Sequence, residues 1–219
     1  MSDLKNLLRK EFRLAAMPLT YFFMAGALFV MIPNYPALVG AFFVCLGIFY
    51  SFQSAREAND VLFSVLLPLP KTAFVEAKFA FTAVIQAGAF LLFALFTGVR
   101  TALGDTPAYQ ETALMRPNLA MLGYVLLVFA LFNAVFLAGF FRTAYAIGKP
   151  FLVYAVLAFV FIALTEVLHH LPGLAFLNEA GVGGIWLRAA VLAGSAVLYA
   201  AVFTLSMKKS AARFEKLDL

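Results

Sequence analysis

Glu166, His169 and His170 are the densest group of metal-capable side chains in the chain. Glu166 and His170 stand four residues apart, one helical turn, and imidazole with carboxylate can hold zinc. The HExxH arrangement is absent and no third strong ligand is near in sequence. These residues therefore read as the polar outer end of a span. Ser195 has no sequence context of a catalytic triad. Gly148-Lys149 resembles the end of a phosphate-binding loop, but Pro150 follows where Ser or Thr is needed. No glycine lies five residues before Gly148, so the chain carries no ATP-hydrolysing motif. Catalytic, metal-binding and cofactor-binding residues are all expected to be absent. The single cysteine, Cys45, can form no intrachain disulfide and is expected to pack as a small hydrophobe.

Two amides, Gln86 and Asn133, fall well inside apolar stretches. Each must find a partner in hydrocarbon, either as interhelical glue or as the lining of a substrate path. No Asp, Glu, Lys or Arg sits at the centre of a predicted span. Ion-coupled transport usually needs such a charge, so its absence favours a device powered from outside the membrane.

Five long uncharged stretches must position these groups: Leu14–Ala55, Phe79–Val99, Pro117–Phe141, Pro150–Thr165 and Ala189–Met207. A bilayer core takes about 20 apolar residues per helix. Four stretches hold one span each, and Pro33-Asn34-Tyr35-Pro36 divides the first into two. The chain is 64% hydrophobic and 12% charged, outside the range of soluble domains. The expected fold class is an all-α membrane protein, a single transmembrane domain over 1–219. The expected spans are 17–33, 37–54, 79–99, 118–141, 150–168 and 187–207. The scattered cations exclude a nucleic-acid surface.

Charge sets the expected orientation. With the amino terminus inside, four groups of cations fall in the cytoplasm: Lys5, Arg9, Lys10 and Arg13; Arg56, Lys71 and Lys78; Arg142 and Lys149; Lys208, Lys209, Arg213 and Lys216. Only Arg100, Arg116 and Arg188 fall outside. The positive-inside rule then places both termini in the cytoplasm. The external loops are 100–117 and 169–186, the second either a re-entrant piece or an ordinary apolar loop. Residues 1–16 form an amphipathic helix, with Leu4, Leu7, Leu8, Phe12 and Ala15 on one face. Such a helix suits the membrane interface, as an anchor or as a lever on the first span.

The loop between spans two and three is polar at Gln53–Asp60, then apolar at Val61–Leu67, then broken by Pro68-Leu69-Pro70-Lys71-Thr72. Neither proline can donate inside a helix, and Thr72 is placed to cap the next one. The result is a short, half-apolar helix tethered at both ends, suited to a groove on another protein.

Here the chain resembles the permease subunit of a type-2 ATP-binding-cassette exporter, in the small six-span bacterial subgroup. The resemblance rests on Lys10-Glu11-Phe12-Arg13 with Pro18-Leu19-Thr20-Tyr21, Ile32-Pro33-Asn34-Tyr35-Pro36 and Cys45-Leu46-Gly47-Ile48. It continues through Ala55-Arg56-Glu57-Ala58-Asn59-Asp60 and Leu67-Pro68-Leu69-Pro70-Lys71. Pro117-Asn118-Leu119, Leu131-Phe132-Asn133 and Tyr145-Ala146-Ile147-Gly148-Lys149-Pro150 complete it, in order over residues 1–165. The resemblance implies two permease copies, identical or related, and a separate ABC ATPase subunit that carries ATP and Mg. It implies a coupling helix in the 55–72 loop, with Arg56, Glu57, Asn59, Asp60, Leu67, Pro68 and Lys71 docking on the ATPase. It implies residence in the bacterial cytoplasmic membrane, among lipid, and export of an apolar or amphipathic substrate, with peptides one class. Two other readings compete: a non-transporting scaffold or sensor that recruits a cytoplasmic partner, and an intramembrane enzyme using Glu166, His169 and His170.

Overall fold

A computed structural model describes residues 2–104, 113–143, 146–179 and 183–217, and among these the chain is all helix. Helix α1 (Ser2–Lys10) runs on through a π-turn at Glu11–Ala15, and α2 (Pro18–Phe23) runs on as a 3-10 helix over Met24–Met31. Then come α3 (Leu38–Glu57), α4 (Asp60–Val65) and α5 (Lys71–Ala102). Helix α6 (Leu119–Phe132) continues through a π-turn at Asn133–Leu137 to Phe140, followed by α7 (Gly148–Leu168) and α8 (Ile185–Phe214).

Among the described residues, five helices are long and apolar enough to cross a bilayer: α3, α5, α6 with its extension, α7 and α8. The pair Lys5–Ala15 and Pro18–Met31, bent by 93°, would make a sixth. Pro18 explains the bend, because it opens α2 where no donor is needed and Met17 before it is held extended. From Pro18 to Met31 the chain has 14 residues, six α-helical and eight in the tighter 3-10 form. The 3-10 form rises about 2.0 Å per residue, so this piece reaches about 25 Å against a hydrocarbon core of about 30 Å. Stretching the helix thus compensates for a sequence shortened by the Pro33–Pro36 break. Asn34 turns the chain there in the left-handed region, at φ 57°.

Small residues let this first piece lie against α3. A Cβ on Gly26 would come within 2.8 Å of the Gly40 carbonyl oxygen, and one on Gly40 would strike the Gly26 carbonyl. The two backbones touch, as small residues at membrane helix crossings permit. Ser195 of α8 serves the same purpose at another crossing: a Cβ on Gly123 of α6 would sit 3.0 Å from its Oγ.

Helices α5 and α8 outrun their predicted spans of 79–99 and 187–207. Helix α5 begins at Lys71, so Thr72 lies in its first turn and does not cap it. Both helices project at the basal end of the bundle, the end that carries Lys10, Asp60, Lys71 and Phe214. Phe214 packs on Phe74 and Phe141 there, at ring distances of 5.6 and 5.7 Å. Lys71 Nζ also donates to the Leu217 carbonyl at 2.6 Å. The interior above is filled with phenylalanine: Phe136 contacts Phe49, Phe52, Phe132 and Phe151 at 4.8 to 5.9 Å. Cys45 is wholly buried in this core. Tyr145, residues 105–112 of the first predicted external loop and 180–182 of the second lie outside the described residues.

Candidate coupling site

The strongest concentration of charge lies where α1, α4 and α5 meet. Lys78 Nζ of α5 lies 2.6 Å from Glu11 Oε2 and 3.0 Å from Asp60 Oδ2. Lys10 Nζ lies 2.6 Å from Asp60 Oδ1 and 3.2 Å from Glu11 Oε1, and donates to Ser64 Oγ at 2.8 Å. Two ammonium groups and two carboxylates close a neutral square. The Lys78 and Glu11 side chains are only 2% and 1% exposed, so neither charge has water to fall back on. Glu11 Oε1 and Asp60 Oδ2 make ion-pair contacts without hydrogen-bond geometry.

Aromatic faces complete the enclosure. Lys10 stands 5.4 Å from the Phe74 ring centre, and Lys78 stands 5.4 and 5.5 Å from those of Phe52 and Phe74. The ring quadrupole favours a cation there and replaces part of the lost hydration. Burial alone pushes the Asp60 carboxyl up, but Lys78 and Lys10 outweigh it and hold the group below its ordinary value. Asp60 therefore stays ionised wherever both lysines are charged.

Local sequence explains how α4 reaches this square. Asn59 takes the left-handed conformation at φ 53° and turns the chain between α3 and α4. An Asn side chain tolerates that region better than most. Asp60 then opens α4, with Val61 and Ser64 facing inward and Leu62, Phe63 and Leu66 facing out at 40, 58 and 85% exposure. Anchored on one side and apolar on the other, α4 presents a short hydrophobic ridge at the basal end.

The residues singled out for docking thus divide. Asp60 and Lys71 spend their charges within the chain, on Lys10 and Lys78 and on the Leu217 carbonyl. Asn59 makes the turn. Arg56, Glu57 and Pro68 are exposed beside the ridge, with Leu67 half-buried and Glu57 accepting a hydrogen bond from Gln53 at 3.1 Å. Residue-by-residue reading missed Lys10, Glu11 and Lys78 as a unit, because the pairs that close it, Lys10–Asp60 and Glu11–Lys78, span 50 and 67 residues. One signal was available: Glu11 falls four residues after Leu7 and four before Ala15, on the apolar side of α1.

Deeper in the bundle, Gln86 and Asn133 exchange amide hydrogen bonds at 3.2 and 3.1 Å, and Tyr199 donates to Gln86 Oε1 at 2.8 Å. The cluster joins α5, the π-turn after α6, and α8. Gln86 and Asn133 are fully enclosed, so in this conformation they act between helices.

At the opposite, apical end, Glu166 Oε2 accepts from the Met115 amide at 2.7 Å, and both His169 and His170 donate to the Ala113 carbonyl at 3.2 and 3.0 Å. Asn118 caps α6 through the Met121 amide and donates to the Leu177 carbonyl at 2.7 Å. Arg188 donates to the Glu179 and Gly183 carbonyls. The Glu-His-His group therefore fastens loop backbone. No three or more His, Cys, Asp or Glu side chains are placed to hold one metal ion among the described residues.

Compared with known protein families, residues 3–215 match the family described as ABC-2 family transporter protein. No curated protein and no solved structure matches the chain. Membrane subunits of this family lack ATPase activity and work with ABC ATPase subunits, and none needs a cofactor on its own chain. The match extends past the 1–165 region of motif resemblance and takes in α8. The chain belongs to the ABC-2 family of transporter membrane proteins, as a multi-pass permease subunit.

Proposed function

We propose that this permease exports an apolar or amphipathic substrate, powered by a separate ATPase that docks on the ridge of α4. The observation that carries the reading is the neutral square of Lys10, Glu11, Asp60 and Lys78. It ties α4 on one side to α1 and on the other to α5, a membrane-crossing helix. A push on Leu62, Phe63 and Leu66 would be delivered to α5 through Asp60–Lys78 and to α1 through Asp60–Lys10. An apolar helix face received in a partner groove is an ordinary mode of recognition, with Arg56, Glu57, Leu67 and Pro68 at its rim. Asp60 and Lys71 then act as the anchors of the docking element, and Asn59 as its hinge.

The proposed topology has six spans, both termini in the cytoplasm and the basal end facing the ATPase, in a bacterial cytoplasmic membrane. The substrate path runs between two copies of the permease, which closes and opens as they rock. Helices α7 and α8 expose much apolar surface, including Leu152, Leu164 and Leu198 at 66, 61 and 51%, to lipid or to a second copy. Peptides are the first substrate class to test. Mild-detergent purification with mass spectrometry of bound proteins tests the reading. An associated ABC ATPase with vanadate-sensitive hydrolysis supports it, whereas a preparation free of ATPase in both detergent and lipid discs sinks it in favour of a scaffold.

A further inference from the structure

The exposed stripe of α8 changes chemistry without changing face. Leu198, Ala201 and Leu205 are exposed, and Lys208, Lys209, Arg213 and Lys216 follow at helical intervals along the same side. Ser206, Ser210 and Phe214 on the other side are buried against the bundle. Helix α1 and its extension repeat the arrangement: Lys5, Arg9 and Arg13 are exposed at four-residue spacing, and Leu14 beside Arg13 is 78% exposed. The two stripes meet the same level of the bundle, because Lys10 of α1 and Phe214 of α8 both rest on the Phe74 ring, at 5.4 and 5.6 Å.

None of these seven cations has an ion-pair partner among the described residues, and Glu215 is the one exposed carboxylate interspersed on α8. An exposed apolar stripe that passes directly into cations matches the boundary between acyl chains and phosphates. A protein partner would need an acidic face that also accepted Leu14 and Leu205, at a depth set by the bilayer.

We infer that the exposed cations of α1 and of the α8 end form a binding surface for anionic phospholipid headgroups in the leaflet at the basal end. The headgroups bridge two helices that both reach the Phe74 ring, so their occupancy holds the chain's two ends beside the coupling square. The surface depends on the membrane assignment and not on the ATPase.

The test uses the full chain, purified and exchanged into mixed micelles of phosphatidylcholine and phosphatidylglycerol, with native mass spectrometry counting retained lipids. Two variants accompany the wild type: Lys208/Lys209/Arg213/Lys216→Gln and Lys5/Arg9/Arg13→Gln. The wild type should retain phosphatidylglycerol preferentially, and each variant should lower that preference at least about tenfold, since one basic residue near an anionic surface already contributes severalfold. High salt should act in the same direction. Folded variants that keep the wild-type preference overturn the inference. So does a variant that keeps the lipid but loses a bound protein, which would make the stripes a protein-docking face. Should a variant fail to fold, the wild-type unfolding temperature decides. It must rise in phosphatidylglycerol vesicles over phosphatidylcholine ones and fall back with salt, and an unchanged temperature counts against the inference.

Discussion

Lys78 and Glu11, 67 residues apart in sequence, hold each other at 2.6 Å with almost no exposure to solvent. Each buried charge faces the other, with Lys10 and Asp60 completing the pairing. The pair ties the amino-terminal helix to α5, beside the Phe12–Phe81 ring contact at 5.0 Å.

Removing one partner should therefore cost far more than removing both. Lys78→Met leaves Glu11 and Asp60 sharing Lys10 alone, with one buried negative charge uncompensated, a loss of about 3–5 kcal/mol. The double variant Lys78→Met with Glu11→Met should recover part of that. Unfolding midpoints of the two single variants and the double in one detergent give the coupling directly. Additive losses would contradict a paired role.

Acid should loosen α4 before it unfolds the bundle. Asp60 is held below its ordinary value, near 3.9 in unfolded chains, by Lys78 and Lys10 acting against burial. A depressed folded-state value means the contribution is present above the unfolded value and disappears as pH falls through the folded one. Stability should thus be insensitive to Asp60 from neutrality to about pH 5 and decline below about pH 4. Asp60→Asn should remove that part of the decline, measured as unfolding temperature against pH.

The seam between Gly26 and Gly40 should tolerate no methyl group. Gly40→Ala forces a side chain into the Gly26 carbonyl, at a cost of about 1–3 kcal/mol or more. Gly98→Ala is the matched control: nothing lies within 4 Å of its Cβ, and helix propensity predicts a gain of up to about 1 kcal/mol. Thermal midpoints of both variants check the pair.

The Gln86–Asn133–Tyr199 cluster separates structure from transport. Tyr199→Phe removes one hydrogen bond and should cost about 0.6–1.7 kcal/mol, the range for such bonds in membrane bundles. If the cluster serves only between helices, transport per folded molecule should be unchanged. A fall in transport at wild-type stability would place it on the substrate path.

Much of the helical plan was legible because bilayer thickness and charge placement act on composition directly. The gaps between uncharged stretches locate α3, α6 and α7 closely, and the proline pair at 33 and 36 marks the turn at Asn34. Helices α5 and α8 run longer than the uncharged stretches, because Lys71, Lys78 and Lys208 are satisfied by partners or exposed at the basal end. Charge therefore did not end those helices. The square was hidden for a related reason. A carboxylate such as Asp60 has the same sequence signature whether it faces a partner protein or a lysine from a distant helix. Only the folded neighbours distinguish the two.

Docking of an ATPase on the ridge of α4 can be measured by one comparison. The permease is co-expressed with an ABC ATPase subunit, as wild type and as Phe63→Asp/Leu66→Asp, and both are purified in mild detergent for ATPase recovery and vanadate-sensitive hydrolysis. Both side chains are exposed, so the variant should fold and insert as the wild type does. The wild type should retain an active ATPase and the variant should lose at least about tenfold of it, since each apolar anchor at an interface is worth about 1–2 kcal/mol. Equal recovery and equal hydrolysis with both chains would contradict it.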